Sequence, residues 1–134
     1  MTIALDTTAL LIRHLNHPAR AAIDEAMTAD PDWCASELAL AEALSVVDRL
    51  AIDPDTADDL RRALRDDWGR IAVVPVDTLC LEHASELSRR HPVRMADAIH
   101  LAAADRLPRP VKFITFDHNQ MPVAEVLGFE ILSS

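Results

Sequence analysis

Four carboxylates in this sequence stand where a carboxylate is hard to accommodate. In "RMADAIHLAAAD" (residues 94–105), Asp97 lies one residue ahead of the densest apolar run, with Val93, Leu101 and Ala104 at helical spacing. Aspartate is a mediocre mid-helix residue, and a buried charge is costly unless something compensates it. In "SELALAEALSVV", Glu42 has Leu38, Ala39, Ser45 and Val46 three and four residues away, a mostly apolar stripe. Asp6 closes the apolar run "IAL", and Asp117 closes "KFITF". Each has a bland alternative when taken alone. Asp6 and Asp117 could cap helices, Glu42 could reach an arginine or water, and Asp97 could pair with Arg94. Taken together, they make an oxygen-ligand site for a hard divalent cation. Mg²⁺ or Mn²⁺ binds carboxylates and water, and not sulfur or several imidazoles.

Such a site needs elements that bring the four residues together. Short apolar runs alternate with longer helical patterns. Strands are expected over residues 2–6, 32–36, 72–76, 111–116 and 129–133. Pro75 suggests that the third lies at an edge or ends there. Helices are expected over 7–15, from Pro18 to about 29, over 37–51 with Ser36 as a cap, over 53–71, over 77–91 and across 94–105. Asp53 is a natural N-cap there, with Pro54 at the first helical position. The alternation implies an α/β fold with a central, mostly parallel sheet covered on both faces. Ligand crevices in such sheets lie at the carboxyl ends of the strands, where Asp6 and Asp117 fall.

The composition bounds the function. The chain has 134 residues, enough for one domain over 1–134 with one core. No internal repeat or linker interrupts it. The core must be aliphatic, because half the residues are hydrophobic and only 4% aromatic. A net charge of -9 argues against non-specific phosphate binding, although bound metal can dominate a local field. Cys34 and Cys80 stand apart in apolar surroundings without a zinc or redox spacing, and read as buried thiols. The N-terminal stretch lacks a positively charged n-region and no apolar run is long enough to span a membrane. A cytoplasmic protein is expected.

Four segments, "IALDTTALL", "SELALAEAL", "MADAIHLAAA" and "FITFD", resemble in order the four acidic motifs of PIN-domain ribonucleases. Their spacing is similar to that of bacterial VapC-type toxins. The resemblance covers nearly the whole chain, including the closing "AEVLGFEIL". It implies a three-layer α/β/α sandwich and a Mg²⁺- or Mn²⁺-dependent endoribonuclease, usually a homodimer and inhibited by a cognate antitoxin. It places Asp6, Glu42, Asp97 and Asp117 in the acidic quartet and Thr115 at the small hydroxyl position beside the last acid. Where the family commonly continues with a basic residue after that acid, this chain has "HNQ".

On this reading Asp6, Asp97 and Asp117 are direct or water-mediated ligands. Glu42 is a ligand or positions the attacking water. Thr115 holds a ligand carboxylate in its rotamer, or is an ordinary β-branched strand residue. Arg13, His14 and Arg94 could touch RNA phosphates, and each also fits a solvated helix face. His100 reads as a helix-border histidine outside the metal set. Arg61, Arg62 and Arg65 alternate with Asp58, Asp59, Asp66 and Asp67, which suits an exposed helix. "TALLIRHL" and "ARAAIDEAM" could form a groove for an amphipathic antitoxin segment. Two other readings compete: a non-catalytic binding or regulatory module, and a metal-dependent phosphohydrolase of another substrate. Against the latter, two glycines leave no Gly-rich phosphate loop.

Overall fold

The computed structural model describes residues 1–132. Residue 133, the last of the expected fifth strand, lies outside them. The sheet grows from β1 (Thr2–Leu5), which pairs with β2 (Trp33–Ser36) on one side and β4 (Val111–Ile114) on the other. β3 (Ala72–Val74) and β5 (Glu130–Leu132) form the edges, giving the order β3-β2-β1-β4-β5 with every pairing parallel. Pro75 therefore follows an edge strand, where no ladder hydrogen bond is lost.

Pairs of helices connect the first strands: α1 (Thr7–Ile12) and α2 (Arg20–Ala29), α3 (Leu38–Leu50) and α4 (Pro54–Trp68), then α5 (Thr78–Arg90) and α6 (Met95–Asp105). The segment between β4 and β5, for which the sequence gives no element, folds as α7 (Met121–Val126). Gly128 then takes φ +83, a left-handed conformation suited to glycine, as the chain turns into β5. Alternate strand residues face opposite layers. Ile3, Leu5, Ala35 and Ile114 pack with α1 to α4, while Ala4, Cys34, Val111 and Phe113 pack with α5 to α7. The result is the expected α/β/α sandwich. Both cysteines are free and buried.

Several local expectations change. α1 stops at Ile12, because Arg13 and His14 turn toward Asp67 on α4. α2 begins at Arg20, with Pro18 in the preceding turn. Ser36 does not cap α3: Glu37 occupies that place without a side-chain cap, and the Ser36 hydroxyl bonds His100. Asp53 does cap α4, accepting the Thr56 N–H at 2.7 Å. Asp67 is no member of an exposed charged face. It is buried, accepts from Arg13 Nε at 2.8 Å and lies 2.6 Å from His14 Nε2. Burial opposes its ionisation, but the hydrogen bonds from His14 and Arg13 keep its carboxyl below the usual range.

Candidate active site

The strand order reverses at β1, whose neighbours lead off in opposite directions, so a crevice is expected beside its carboxyl end. Asp6 is the residue that follows β1. The pairing of Leu5 with Ile114 sets it beside Thr115 at the end of β4. Its Oδ1 accepts the Ala9 N–H at 2.8 Å, capping α1, and its Oδ2 accepts the Thr115 hydroxyl at 2.8 Å. The helix-capping alternative is thus real for Asp6, yet it does not describe the whole environment. The side chain is 1% exposed, and burial pushes its pKa from 3.8 up to about 6. The Ala9 and Thr115 hydrogen bonds and His100 oppose that rise, and the charge of Asp97 adds to it.

Asp6, Glu42 and Asp97 line one cleft of about 250 Å³, together with Thr7, Arg94, His100 and Gln120. Glu42 comes from α3 and Asp97 from the first turn of α6, a helix buried from Asp97 to Ala104. Asp97 Oδ1 accepts from the buried Gln120 amide at 2.9 Å, and Oδ2 accepts from Arg94 Nε at 3.1 Å. The Arg94 side chain is 82% exposed, so this ion pair is weakly held. Asp117 does not line the cleft. Its Oδ1 accepts the Asn119 N–H at 2.8 Å and its own N–H donates to Thr115 Oγ1 at 3.1 Å. Its charge nevertheless acts on Arg94, as does that of Glu42, after the larger effect of the Asp97 hydrogen bond.

The sequence reading misplaces one participant, His100, and misses another, Gln120. His100 is not at a helix border: it is 4% exposed and lies 2.5 Å from Glu42 Oε1 through Nε2. That hydrogen bond, with a second from Thr7, holds the Glu42 carboxyl below the usual range against a smaller desolvation effect. Gln120 is 2% exposed, and its Oε1 has no hydrogen-bond partner among the described residues. The spacing of His100 three residues after Asp97 puts both on one side of α6, which was a usable signal. Nothing in "DHNQMP" marks Gln120. Arg13 and His14 are drawn elsewhere, to Asp67 and, for Arg13, also to Asp24 at 3.0 Å.

The PIN domain family model matches residues 3–126. The chain belongs to the PIN domain family. Solved structures share this PIN fold across nearly the whole chain. DNA-bound VapBC from Salmonella typhimurium matches with a TM-score of 0.73 at 19% identity, covering 99% of this chain and 98% of that one. VapBC2 from Rickettsia felis, bound to a promoter DNA fragment, gives 0.72 at 15% identity, covering 98% and 99%. VapBC-5 from Mycobacterium tuberculosis gives 0.66 at 24% identity, covering 99% and 98%. A search of the curated proteins finds no match. No helix of the described residues is long and apolar enough to cross a membrane.

The donor set of this PIN domain suits a hard divalent cation, since the carboxylates of Asp6, Glu42 and Asp97 share the cleft with hydroxyl and amide oxygens and no sulfur. The buried Asp6 carboxyl, pushed toward neutrality, is a group that a cation would return to its charged form. Among the described residues, no three His, Cys, Asp or Glu side chains are close enough together to share one ion. The positive charge beside Asp97 in this structure is Arg94.

Proposed function

We propose that this PIN domain is a Mg²⁺- or Mn²⁺-dependent endoribonuclease acting as the toxin of a toxin–antitoxin pair. The observation that carries the reading is the convergence of Asp6, Glu42 and Asp97, from three separate segments, on one cleft at the carboxyl end of the sheet. The solved structures it resembles include toxin–antitoxin complexes, which supports the biological setting. Asp6 and Asp97, which line the cleft, are the residues that would hold the ion, and Asp117, outside that lining, would act on it through water. Bound Mg²⁺ or Mn²⁺ would neutralise charge building on a phosphodiester and ease deprotonation of the attacking water. Glu42 stays ionised, and its Oε1 takes both protein hydrogen bonds, which leaves Oε2 to bind the ion or accept a proton. Thr115 holds Asp6 in its rotamer, and the exposed Arg94 would meet an RNA phosphate.

For the antitoxin, the apolar side chains of α1 and α2 offer little, because Leu10, Ile12, Ile23 and Met27 are buried in the core. A groove of about 260 Å³, where Leu15 and the exposed Leu50 lie with His14, Arg20, Thr56 and Asp59, is the better seat for an amphipathic segment. Sedimentation of the purified chain, expected as a homodimer, tests its self-association.

A second reading, a non-catalytic binding module, is favoured by one observation: Arg94 and Gln120 already satisfy Asp97. Incubating RNA with the purified chain, in Mn²⁺ and in EDTA, separates the two. Discrete fragments that vanish with EDTA support the nuclease; intact RNA together with a melting curve unmoved by millimolar Mn²⁺ supports the module.

A further inference from the structure

His100 joins three segments of the chain. Its ring is buried on α6, a helix otherwise lined by Ala98, Leu101 and Ala102, none of which is exposed at all. Packing alone would be served by a leucine. Instead Nδ1 lies 2.8 Å from Ser36 Oγ, at the end of β2. Nε2 lies 2.5 Å from Glu42 Oε1 on α3 and 3.1 Å from Thr7 Oγ1 at the start of α1. An ionised carboxylate can only accept, so Nε2 must carry the proton toward Glu42. The Thr7 hydroxyl donates to the same Oε1 at 2.7 Å. Two donors from different elements therefore converge on one oxygen, and the Ser36 hydroxyl fixes the ring from behind.

We infer that His100 is a positioning residue that, with Thr7 and Ser36, fixes Glu42 Oε1 so that Oε2 alone serves the reaction in the cleft. This inference rests on the ribonuclease reading above. It assigns His100 no contact with substrate or ion: the imidazole acts through the carboxylate it orients, as outer-shell donors do at metal sites. It also separates the two oxygens of Glu42 by role, since only Oε2 lacks a protein hydrogen bond among the described residues.

The test compares wild type, His100→Leu, which keeps volume without a donor, and His100→Gln, whose amide can replace the Nε2 donor. The measurements are kcat and KM on RNA, and the Mn²⁺ concentration giving half the maximal rise in melting temperature. His100→Leu is expected to lose kcat by about 10- to 100-fold, with KM little changed and the Mn²⁺ midpoint raised about 10-fold. His100→Gln should recover most of both. In a Glu42→Ala background, His100→Leu should cost almost nothing more, because the two act as one unit. Unchanged kcat and midpoint in His100→Leu, or losses that multiply in the Glu42→Ala background, overturn the inference. If His100→Leu does not melt cooperatively, Ser36→Ala carries the test, with a smaller kcat loss expected and a wild-type kcat contradicting. A wild type that cleaves no RNA but is stabilised by Mn²⁺ overturns the ribonuclease reading alone. The His100 effect is then decided by the midpoint.

Discussion

The Thr115 hydroxyl donates to Asp6 Oδ2 at 2.8 Å, joining residues 109 apart in sequence across the seam between β1 and β4. Thr115 Oγ1 in turn accepts the Asp117 N–H at 3.1 Å, so one threonine ties the buried first acid to the backbone of the last. Both partners are almost fully buried. Thr115→Val keeps the shape and removes the donor, and should cost about 1.5–3 kcal/mol in urea unfolding at pH 8. Thr115→Ser should restore most of it. Equal stability of the valine and serine variants would remove the hydroxyl from the account.

Asp6 gives the metal-free protein a pH dependence whose sign is fixed by the direction of its shift. Its folded value is raised from 3.8 to about 6, so between these limits the fold keeps a proton that the unfolded chain has lost. Its contribution to stability is complete below the unfolded value and is lost as pH rises through about 6. The loss is at most about 3 kcal/mol. Glu42 and Asp67, both lowered, act in the opposite sense and lose stability on acidification. The Asp6 part is therefore read as a difference. Relative to wild type, Asp6→Asn should be more stable at pH 8 than at pH 5. A parallel pair of pH–stability curves would contradict the burial argument.

Asp67 anchors the end of α1 to α4 through Arg13 and His14. Replacing it with alanine leaves Arg13, whose side chain is 19% exposed, without its closest carboxylate partner. We expect a loss of about 2–4 kcal/mol in chemical denaturation, against less than about 0.5 kcal/mol for Asp59→Ala on the solvent face of the same helix. Similar values for both would show the Asp67 cluster to be a surface feature.

Arg94 and Arg13 should differ in their effect on RNA affinity. The Arg94 side chain is exposed at the cleft, whereas Arg13 is held by Asp67 and Asp24. Arg94→Ala should weaken RNA binding and reduce the slope of log affinity against log salt by about 0.7, as one lost phosphate contact on a single strand does. Arg13→Ala should leave that slope unchanged. Filter binding across a salt series reads both, and the reverse pattern would move the RNA path away from Arg94.

Much of the fold was legible because hydrophobic period and strand–helix alternation are local properties. The mostly parallel sheet, the edge or end of the third strand at Pro75 and the Asp53 cap all follow from such signals, and the structure makes every pairing parallel. The candidate site was legible as anomalies, carboxylates in apolar stripes. What the sequence concealed is who answers each carboxylate. Gln120 reaches Asp97 from a segment with no periodic pattern, and His100 meets Glu42 across 58 residues. Asp67 looked solvated because its own helix is highly charged; its burial is created by Arg13 and His14 on another element. Pairings of this kind depend on tertiary approach, which no local pattern encodes.

Whether this chain is a metal-dependent ribonuclease is decided by RNA cleavage with wild type and with Asp97→Asn, each in Mn²⁺ and in EDTA. Asparagine preserves the size of Asp97 and can still bond Gln120, while removing the charge. Discrete fragments are expected from the wild type in Mn²⁺ only, and none from Asp97→Asn under either condition despite a cooperative melt. Wild-type cleavage that survives EDTA, or equal cleavage by Asp97→Asn, would contradict that reading.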